Sequence, residues 1–272
     1  MLTLKNRLAS CDTSLPMLPD LATRVIALTA DPDTPASALV RIVSKDQVLA
    51  SRLLALANSA YCAPLREIGT VTEAVVRIGT SAVRNLVVTI SFYSRMYDQK
   101  IYGGEGRRLV DHSIGTAYLA RLVAEHAGVS EDEAFLAGLL HDIGKMVILK
   151  LAYDHRRQTG TTLDPRELEQ LLAEEHAAVG ARMLHRWNLP TTLEEPILYH
   201  HDYRQAGRYP RETAVVYLAN LLSHRYGFGC EPHVADPLTD PVCDALAIDA
   251  HWLQDTDLHA PGLYEVARQV LA

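Results

Sequence analysis

The sequence has few cysteines, few aromatic residues and no long apolar run. Its four cysteines form no C-x-x-C pair and no spacing typical of a zinc site, so we expect reduced thiols without a structural role. No stretch of 18 apolar residues occurs, and a membrane span is therefore not expected. Lys5 and Arg7 leave no apolar run ahead of Cys11, so a signal peptide is not predicted either. These absences together predict a cytoplasmic protein.

Basic residues are also fewer than acidic ones, and the charges are unevenly distributed along the chain. The net charge is −7, but residues 1–98 carry 10 Lys and Arg against 8 Asp and Glu, whereas the remainder carries 16 against 25. An acidic chain is not expected to bind nucleic acid through bulk electrostatics. The change of sign along the chain suggests two functional parts.

The pattern that would indicate β-strands is missing as well. Apolar residues recur at helical spacing in segment after segment, and no strand alternation or internal repeat stands out, so the sequence predicts an all-α fold. The segment DQKIYGGEGR at 98–107 has three glycines and polar neighbours, as is typical of a linker. We therefore predict an N-terminal helical subdomain over 1–98, a linker over 99–107, a second helical domain over 108–225 and a helical tail over 226–272.

Residues 72–94 predict two helices joined by a turn at Gly79. Such a pair can read DNA, with Arg77 and Arg84 as phosphate contacts. However, Leu86–Val88 and Ile90 make the second helix apolar over most of its circumference, which favours a buried helix. Nucleic acid is accordingly not expected as a partner.

The segment LAGLLHDIGKMVIL, from Leu136 to Leu149, places His141 and Asp142 side by side in an apolar stretch that we predict to be one helix. Ser130 is its predicted N-cap. Ala137 and Gly138 would let another element approach closely. Imidazole and carboxylate are metal ligands, and Lys145, one turn later, could contact a bound anion. The alternative is a simple His–Asp hydrogen bond in a wet groove.

Further histidines are predicted on the inward faces of neighbouring helices. His112 and His176 lie among apolar residues at helical spacing, and His200 and His201 stand together at a predicted helix end. One buried histidine is usually a satisfied core residue. Several on successive helices predict that the side chains converge on one site with Asp142.

These positions resemble the HD superfamily of metal-dependent phosphohydrolases, whose pattern is His, His-Asp and a final Asp. His112, His141 and Asp142 match that pattern, and His176, His200 and His201 match the extra ligands of the HD-GYP branch of cyclic-di-GMP phosphodiesterases. The run from His200 to Pro210 is similar to the HHE…GYP segment of that branch. It has Asp202 in place of Glu and Arg208 in place of the first Gly.

The first half of the chain resembles a particular subfamily. The segments LPMLPDLATRVIAL, SKDQVLASRLLALANSAYC and TEAVVRIGTSAVRNLVV are similar to the HDOD family, the HD-related output domain, over about residues 15–224. That resemblance implies an N-terminal helical subdomain packed on an HD-like helical bundle. It also implies a bacterial signalling module that acts by binding a signalling protein, a small molecule or a nucleotide. Most members have no demonstrated enzymatic activity.

One departure from the HD pattern bears on activity. Asn220 stands where catalytic members have the closing Asp, and a carboxamide is a neutral ligand that cannot bridge two cations as a carboxylate does. The sequence therefore predicts a regulatory module without phosphohydrolase activity, whose degenerate site holds either one divalent transition metal, Fe, Mn, Zn or Ni, or no metal. The alternative is an active phosphohydrolase or cyclic-dinucleotide phosphodiesterase of the HD or HD-GYP type, with Lys145 on the substrate phosphate.

Overall fold

The computed structural model describes residues 19–29, 31, 33–59, 62, 64, 66–96, 98–229 and 236–271. Within these residues every regular element is a helix, which confirms the predicted all-α class. The described residues fall into two compact units, one within Met96–Gln254 and the other within Leu18–Arg95 and Asp255–Ala272. None of the described helices has the length and apolar content needed to cross a bilayer.

The unit within Leu18–Arg95 and Asp255–Ala272 begins with helix α1 (Asp20–Thr29), α2 (Ala36–Val43) and α3 (Gln47–Ala57). Asp46 caps α3, since its side chain accepts hydrogen bonds from the backbone N–H groups of Val48 and Leu49. Helix α4 (Val71–Met96) is interrupted at Gly79, where φ is 82°. The predicted turn therefore lies at the residue best able to adopt that conformation. Val83 and the segment from Leu86 to Val88 are buried, as expected for a core helix.

Helix α5 (Gln99–Ala127) opens the unit Met96–Gln254 and differs from the sequence prediction. Residues 99–107 were expected as a linker, but they are helical, because the Asp98 side chain caps the first turn and the bend is confined to Gly103 (φ 57°, ψ −149°). Tyr102 in this segment is buried. The predicted domain boundaries themselves stay a prediction.

The rest of this unit contains α6 (Glu131–Leu140), α7 (Ile143–Thr159), α8 (Pro165–Arg186), α9 (Glu194–Leu198), α10 (Pro210–Arg225) and α11 (Pro241–Leu246), and helix α12 (Ala250–Leu271) begins here. The Ser130 side chain caps α6, as predicted, by accepting from the backbone N–H of Glu133. Helix α5 packs against α6 and α10, and α7 packs against α8. The candidate residues lie on α5, α7, α8 and α10, in the turn between α6 and α7, and in the turn after α9.

Two glycines allow the helices around the site to approach closely. A Cβ atom on Gly138 of α6 would lie 2.9 Å from the Cα atom of Ala117 in α5, which confirms that a small residue is needed there. A Cβ atom on Gly144 of α7 would lie only 1.9 Å from the carbonyl oxygen of His176 in α8. The backbones of α7 and α8 therefore cross at a distance that only glycine permits.

Candidate metal centre

His141 and Asp142 lie between two helices and not inside one helix. Helix α6 ends at Leu140 and α7 begins at Ile143, so the prediction of a continuous helix over this pair was wrong. Asp142 leaves the helical conformation, with φ −100° and ψ 10°. Its carboxylate forms an ion pair with the Lys145 ammonium, with 2.7 Å between Oδ2 and Nζ.

The structure brings the predicted residues together around the Asp142 carboxylate. Two groups of side chains have ligand atoms within 4.8 Å of one another. The first group, called here the His112 side, consists of His112, His141 and Asp142, and the second, the His201 side, consists of His176, His200 and His201. Their role as metal ligands stays a prediction.

The two carboxylate oxygens of Asp142 face different groups. Oδ2 lies 3.5 Å from Nε2 of His141 and 3.9 Å from Nε2 of His112. Oδ1 lies 3.4 Å from Nε2 of His176 and 3.7 Å from Nε2 of His200. Asp142 is 2% exposed, so this carboxylate is a buried anion between two sets of imidazoles.

Backbone contacts orient two of the imidazole rings. Nδ1 of His141 donates to the carbonyl oxygen of Gly138, and Nδ1 of His200 donates to that of Ile197, each over 2.7 Å. Because the proton is on Nδ1, the Nε2 atom of each ring carries a lone pair that points into the cluster. This is the arrangement expected of imidazoles that are held ready to ligate a metal.

Burial keeps these rings neutral. Loss of solvent lowers the pKa of His141 to about 3 and that of His176 to about 4. The same desolvation lowers the pKa of His200 well below its ordinary value. Burial acts to raise the pKa of Asp142, but His141 and the Lys145 ammonium outweigh it and hold that pKa well below its usual range. At neutral pH the cluster therefore combines neutral imidazoles with one ionised carboxylate.

Unsatisfied atoms show that the donor set suits a cation. Nε2 of His141 and Oδ1 of Asp142 are buried and have no hydrogen-bond partner. An unpaired buried acceptor is costly, and a buried charge more so. A divalent transition metal would satisfy both, since imidazole nitrogen and carboxylate oxygen are ligands that Fe, Mn, Zn and Ni accept.

Asn220 and residues that the sequence analysis missed surround His112. Oδ1 of Asn220 lies 3.0 Å from Nε2 of His112, and Oγ of Ser223 lies 3.2 Å from its Nδ1. The ring of His224 is 4.8 Å from that of His112 between centroids. Ser223 and His224 are three and four residues after Asn220 on α10. Helical spacing alone therefore places them on the same face of the helix as Asn220.

Glu195, which was not predicted either, fixes the segment between His201 and α10. The Glu195 carboxylate accepts hydrogen bonds from the backbone N–H groups of Gly207, Arg208 and Tyr209, over 3.3, 2.9 and 2.7 Å. Burial acts to raise the pKa of Glu195, but these three N–H groups lower it below its ordinary value. Glu195 thus links α9, which precedes the His200–His201 pair, to the start of the helix that carries Asn220.

The sequence of this chain is similar to those of known proteins. The HDOD domain family matches residues 15–203. An uncharacterised protein of Treponema pallidum is 27% identical over 217 residues, which are 76% of this chain and 42% of that protein. Ribonuclease Y of Clostridium kluyveri is 33% identical over 119 residues, which are 43% of this chain and 22% of the enzyme. The chain thus matches less than half the length of these two relatives.

Among solved structures, an HDOD domain protein of unknown function from Geobacter sulfurreducens has a similar fold. The TM-score is 0.76 at 24% sequence identity, over 99% of this chain and 96% of the other. The likeness extends over nearly the whole chain, and it concerns the fold alone.

Proposed function

The chain belongs to the HDOD domain family, and from that premise we propose that it is a regulatory output module of a bacterial signalling system. It acts by binding a signalling protein or a nucleotide and not by hydrolysing a phosphoester. The family match and the histidine cluster support this proposal, because the cluster has the donors of a metal site but little of the negative charge that hydrolytic HD sites contain.

The observation that carries the proposal is the state of Asp142. It is the only carboxylate that contributes to the two ligand groups found among the described residues, and its Oδ2 atom is already paired with the Lys145 ammonium. Asn220, where the HD pattern has its closing acid, offers a neutral carboxamide. Metal-assisted hydrolysis needs a bound water of lowered pKa and a charged ligand set that fixes its position. This ligand set is therefore better suited to binding a metal than to activating a metal-bound water for hydrolysis.

The candidate ligands available to a metal are His112, His141 and Asp142 on one side and His176, His200 and His201 on the other. A bound divalent metal would supply Lewis-acid polarisation or a water of lowered pKa. The protein's own part is to orient the imidazoles through Gly138 and Ile197, to keep them neutral by burial and to exclude bulk water from Asp142. An exposed His201 gives solvent-borne ions or ligands a point of entry.

A second candidate function is hydrolysis of a phosphodiester. It is favoured by the 33% identity to a ribonuclease Y over the segment that matches, and by the convergence of the histidines on Asp142. In that case Lys145 would leave Asp142 and contact the substrate phosphate. Because the match spans 22% of that enzyme, its activity does not carry over without a test.

Turnover assays separate the two functions. The purified chain, saturated in turn with Mn²⁺, Fe²⁺, Zn²⁺ or Ni²⁺, would be incubated with cyclic di-GMP, with a single-stranded RNA and with bis(p-nitrophenyl) phosphate. We expect turnover below about 10⁻³ s⁻¹, compared with the roughly 1–10³ s⁻¹ typical of enzymes. The matched control is His201→Ala, which removes an exposed ligand at little cost to the core. Turnover above about 0.1 s⁻¹ that disappears in His201→Ala would establish the phosphodiesterase instead.

A further inference from the structure

The two sides of the cluster are not equivalent. Each side has its own imidazoles and one oxygen of the shared Asp142 carboxylate, which is the geometry of a site for two metals. On one side, however, two of the ligand atoms contact Lys145 and Asn220, which belong to neither ligand group. This difference decides how many metals the site can accept, and where.

On the His112 side, two of the three ligand atoms are occupied. Oδ2 of Asp142 is 2.7 Å from the Lys145 ammonium. Nε2 of His112 is 3.0 Å from the Asn220 carboxamide, so the ring nitrogen that faces Asp142 already has a partner. Nδ1 of the same ring lies 3.2 Å from the carbonyl oxygen of Phe228. A metal on this side would have to break both contacts.

On the His201 side, the imidazole ligand atoms contact one another. Nε2 of His176 lies 3.2 Å from Nε2 of His200 and 3.0 Å from Nε2 of His201. The proton of His200 is on Nδ1, which donates to Ile197, so its Nε2 presents a lone pair. Oδ1 of Asp142 faces this side and has no hydrogen-bond partner. The three imidazoles, together with Oδ1 beside two of them, offer four donors to one cation.

We propose that the chain binds one divalent transition metal, held by His176, His200, His201 and Oδ1 of Asp142, and that Lys145 and Asn220 together take the place of a second metal. The Lys145 ammonium neutralises Oδ2, as a second cation would. The Asn220 carboxamide contacts Nε2 of His112, the nitrogen that would otherwise face a metal on that side. A second divalent ion would place two further positive charges beside that ammonium, against a single carboxylate.

Metal stoichiometry tests this assignment without any activity measurement. Mn²⁺ would be titrated calorimetrically into the metal-free chain, and bound metal would be counted by mass spectrometry after desalting. We expect one Mn²⁺ per chain. His201→Ala should weaken binding by at least about 100-fold, because a ligand is lost, whereas His112→Ala should change it by less than about 3-fold.

Substitutions on the His112 side should allow a second metal ion to bind. The double variant Lys145→Met, Asn220→Asp should bind two Mn²⁺ per chain, and the spin coupling of neighbouring ions should appear in its electron paramagnetic resonance spectrum. Lys150→Met is the matched control, because Lys150 pairs with Asp154 on the same helix and lies outside the cluster. It should bind one Mn²⁺ with unchanged affinity. Circular dichroism on each variant identifies any that fails to fold, and Lys145→Gln then replaces Lys145→Met.

Three results would overturn the assignment: two Mn²⁺ in the unmodified chain, loss of metal in His112→Ala with retention in His201→Ala, or no binding at millimolar Mn²⁺. The inference rests on the metal binding included in the proposed function, yet the two can fail separately. A chain that binds one metal on the His201 side and also hydrolyses a phosphodiester would end the regulatory proposal and leave this assignment standing.

Discussion

At the scale of single residues, burial decides the protonation state of the cluster. His141 and His200 are fully buried, and His176 is 2% exposed. An imidazolium there would lose its hydration, and the single Asp142 carboxylate cannot neutralise three of them. The rings therefore remain neutral in the folded chain down to a pH well below that at which a free histidine takes up a proton.

This protonation difference predicts that the metal-free protein loses stability on mild acidification. The pKa of His141 is lowered from 6.5 to about 3 and that of His176 to about 4. Between pH 6.5 and about 4, the unfolded chain takes up protons that the folded chain refuses, so the free energy of unfolding falls as pH falls. The slope is at most about 1.4 kcal/mol per pH unit for each ring. Urea unfolding at pH 7.5, 6.0 and 5.0 measures it.

Two variants test whether the buried histidines cause this pH dependence. His176→Gln should reduce the slope, whereas His259→Gln should leave it unchanged, because His259 is largely exposed. Asp142 contributes outside this window, since its pKa is held below 3.8 and its stabilising effect is lost only as pH falls through that lower value. A free energy of unfolding that stays constant from pH 7.5 to 5.0 would contradict the neutral, buried imidazoles.

At the scale of helices, the site depends on the crossing of α7 and α8. Gly144 permits the contact with the carbonyl of His176, and the turn before α7 carries His141 and Asp142. The distance between the two backbones therefore also sets the distance between Asp142 and the His176 ring. A side chain at position 144 would push apart the elements that bring the ligands together.

Gly144→Ala is accordingly expected to destabilise the protein by about 3 kcal/mol or more, at the upper end for overpacking, because the added Cβ would meet backbone that cannot rotate away. Gly104→Ala is the matched control. Gly104 lies in α5 with no atom within 4 Å of the position that a Cβ would occupy, and the change should stabilise by up to about 1 kcal/mol through helix propensity. Thermal and urea unfolding measure both. Equal stability of the two variants would show that α7 and α8 can separate without cost.

At the scale of the whole chain, the described residues form two compact units, and every candidate ligand lies in the unit Met96–Gln254. The other unit exposes two large apolar side chains within Leu18–Arg95, Val48 at 55% and Val76 at 77%. Single exposed valines are common on protein surfaces. They are the first positions to substitute once a binding partner has been identified.

Metal binding should therefore be visible as a change in the stability of one unit. At about 100 times the dissociation constant, Mn²⁺ is expected to add about 2.7 kcal/mol to the stability of the structure that it binds. Hydrogen exchange with and without Mn²⁺ should show slower exchange of the core amides in Met96–Gln254. Amides in Leu18–Arg95 serve as an internal reference, and an equal change there would show that both units open together. Unchanged exchange throughout the chain at saturating Mn²⁺ would contradict the location of the site.

Much of this protein follows from local sequence. Helical spacing predicted the all-α class, and short-range signals marked the Ser130 cap and the turn at Gly79. The ligand types were also readable, because imidazoles and a carboxylate seldom recur among apolar residues unless they meet one another in the fold. The interactions that determine caps and turns join residues three or four positions apart, so the local sequence reveals them.

The tertiary structure decided what local patterns do not contain. The break at His141–Asp142, the helical segment over 99–107 and the contact of His112 with Asn220, 108 residues away, each depend on how distant elements pack. Which oxygen of Asp142 faces which imidazoles is set by neighbours far along the chain. The sequence by itself determined the helices and the donor atoms, and packing alone determined the two unequal sides of the cluster.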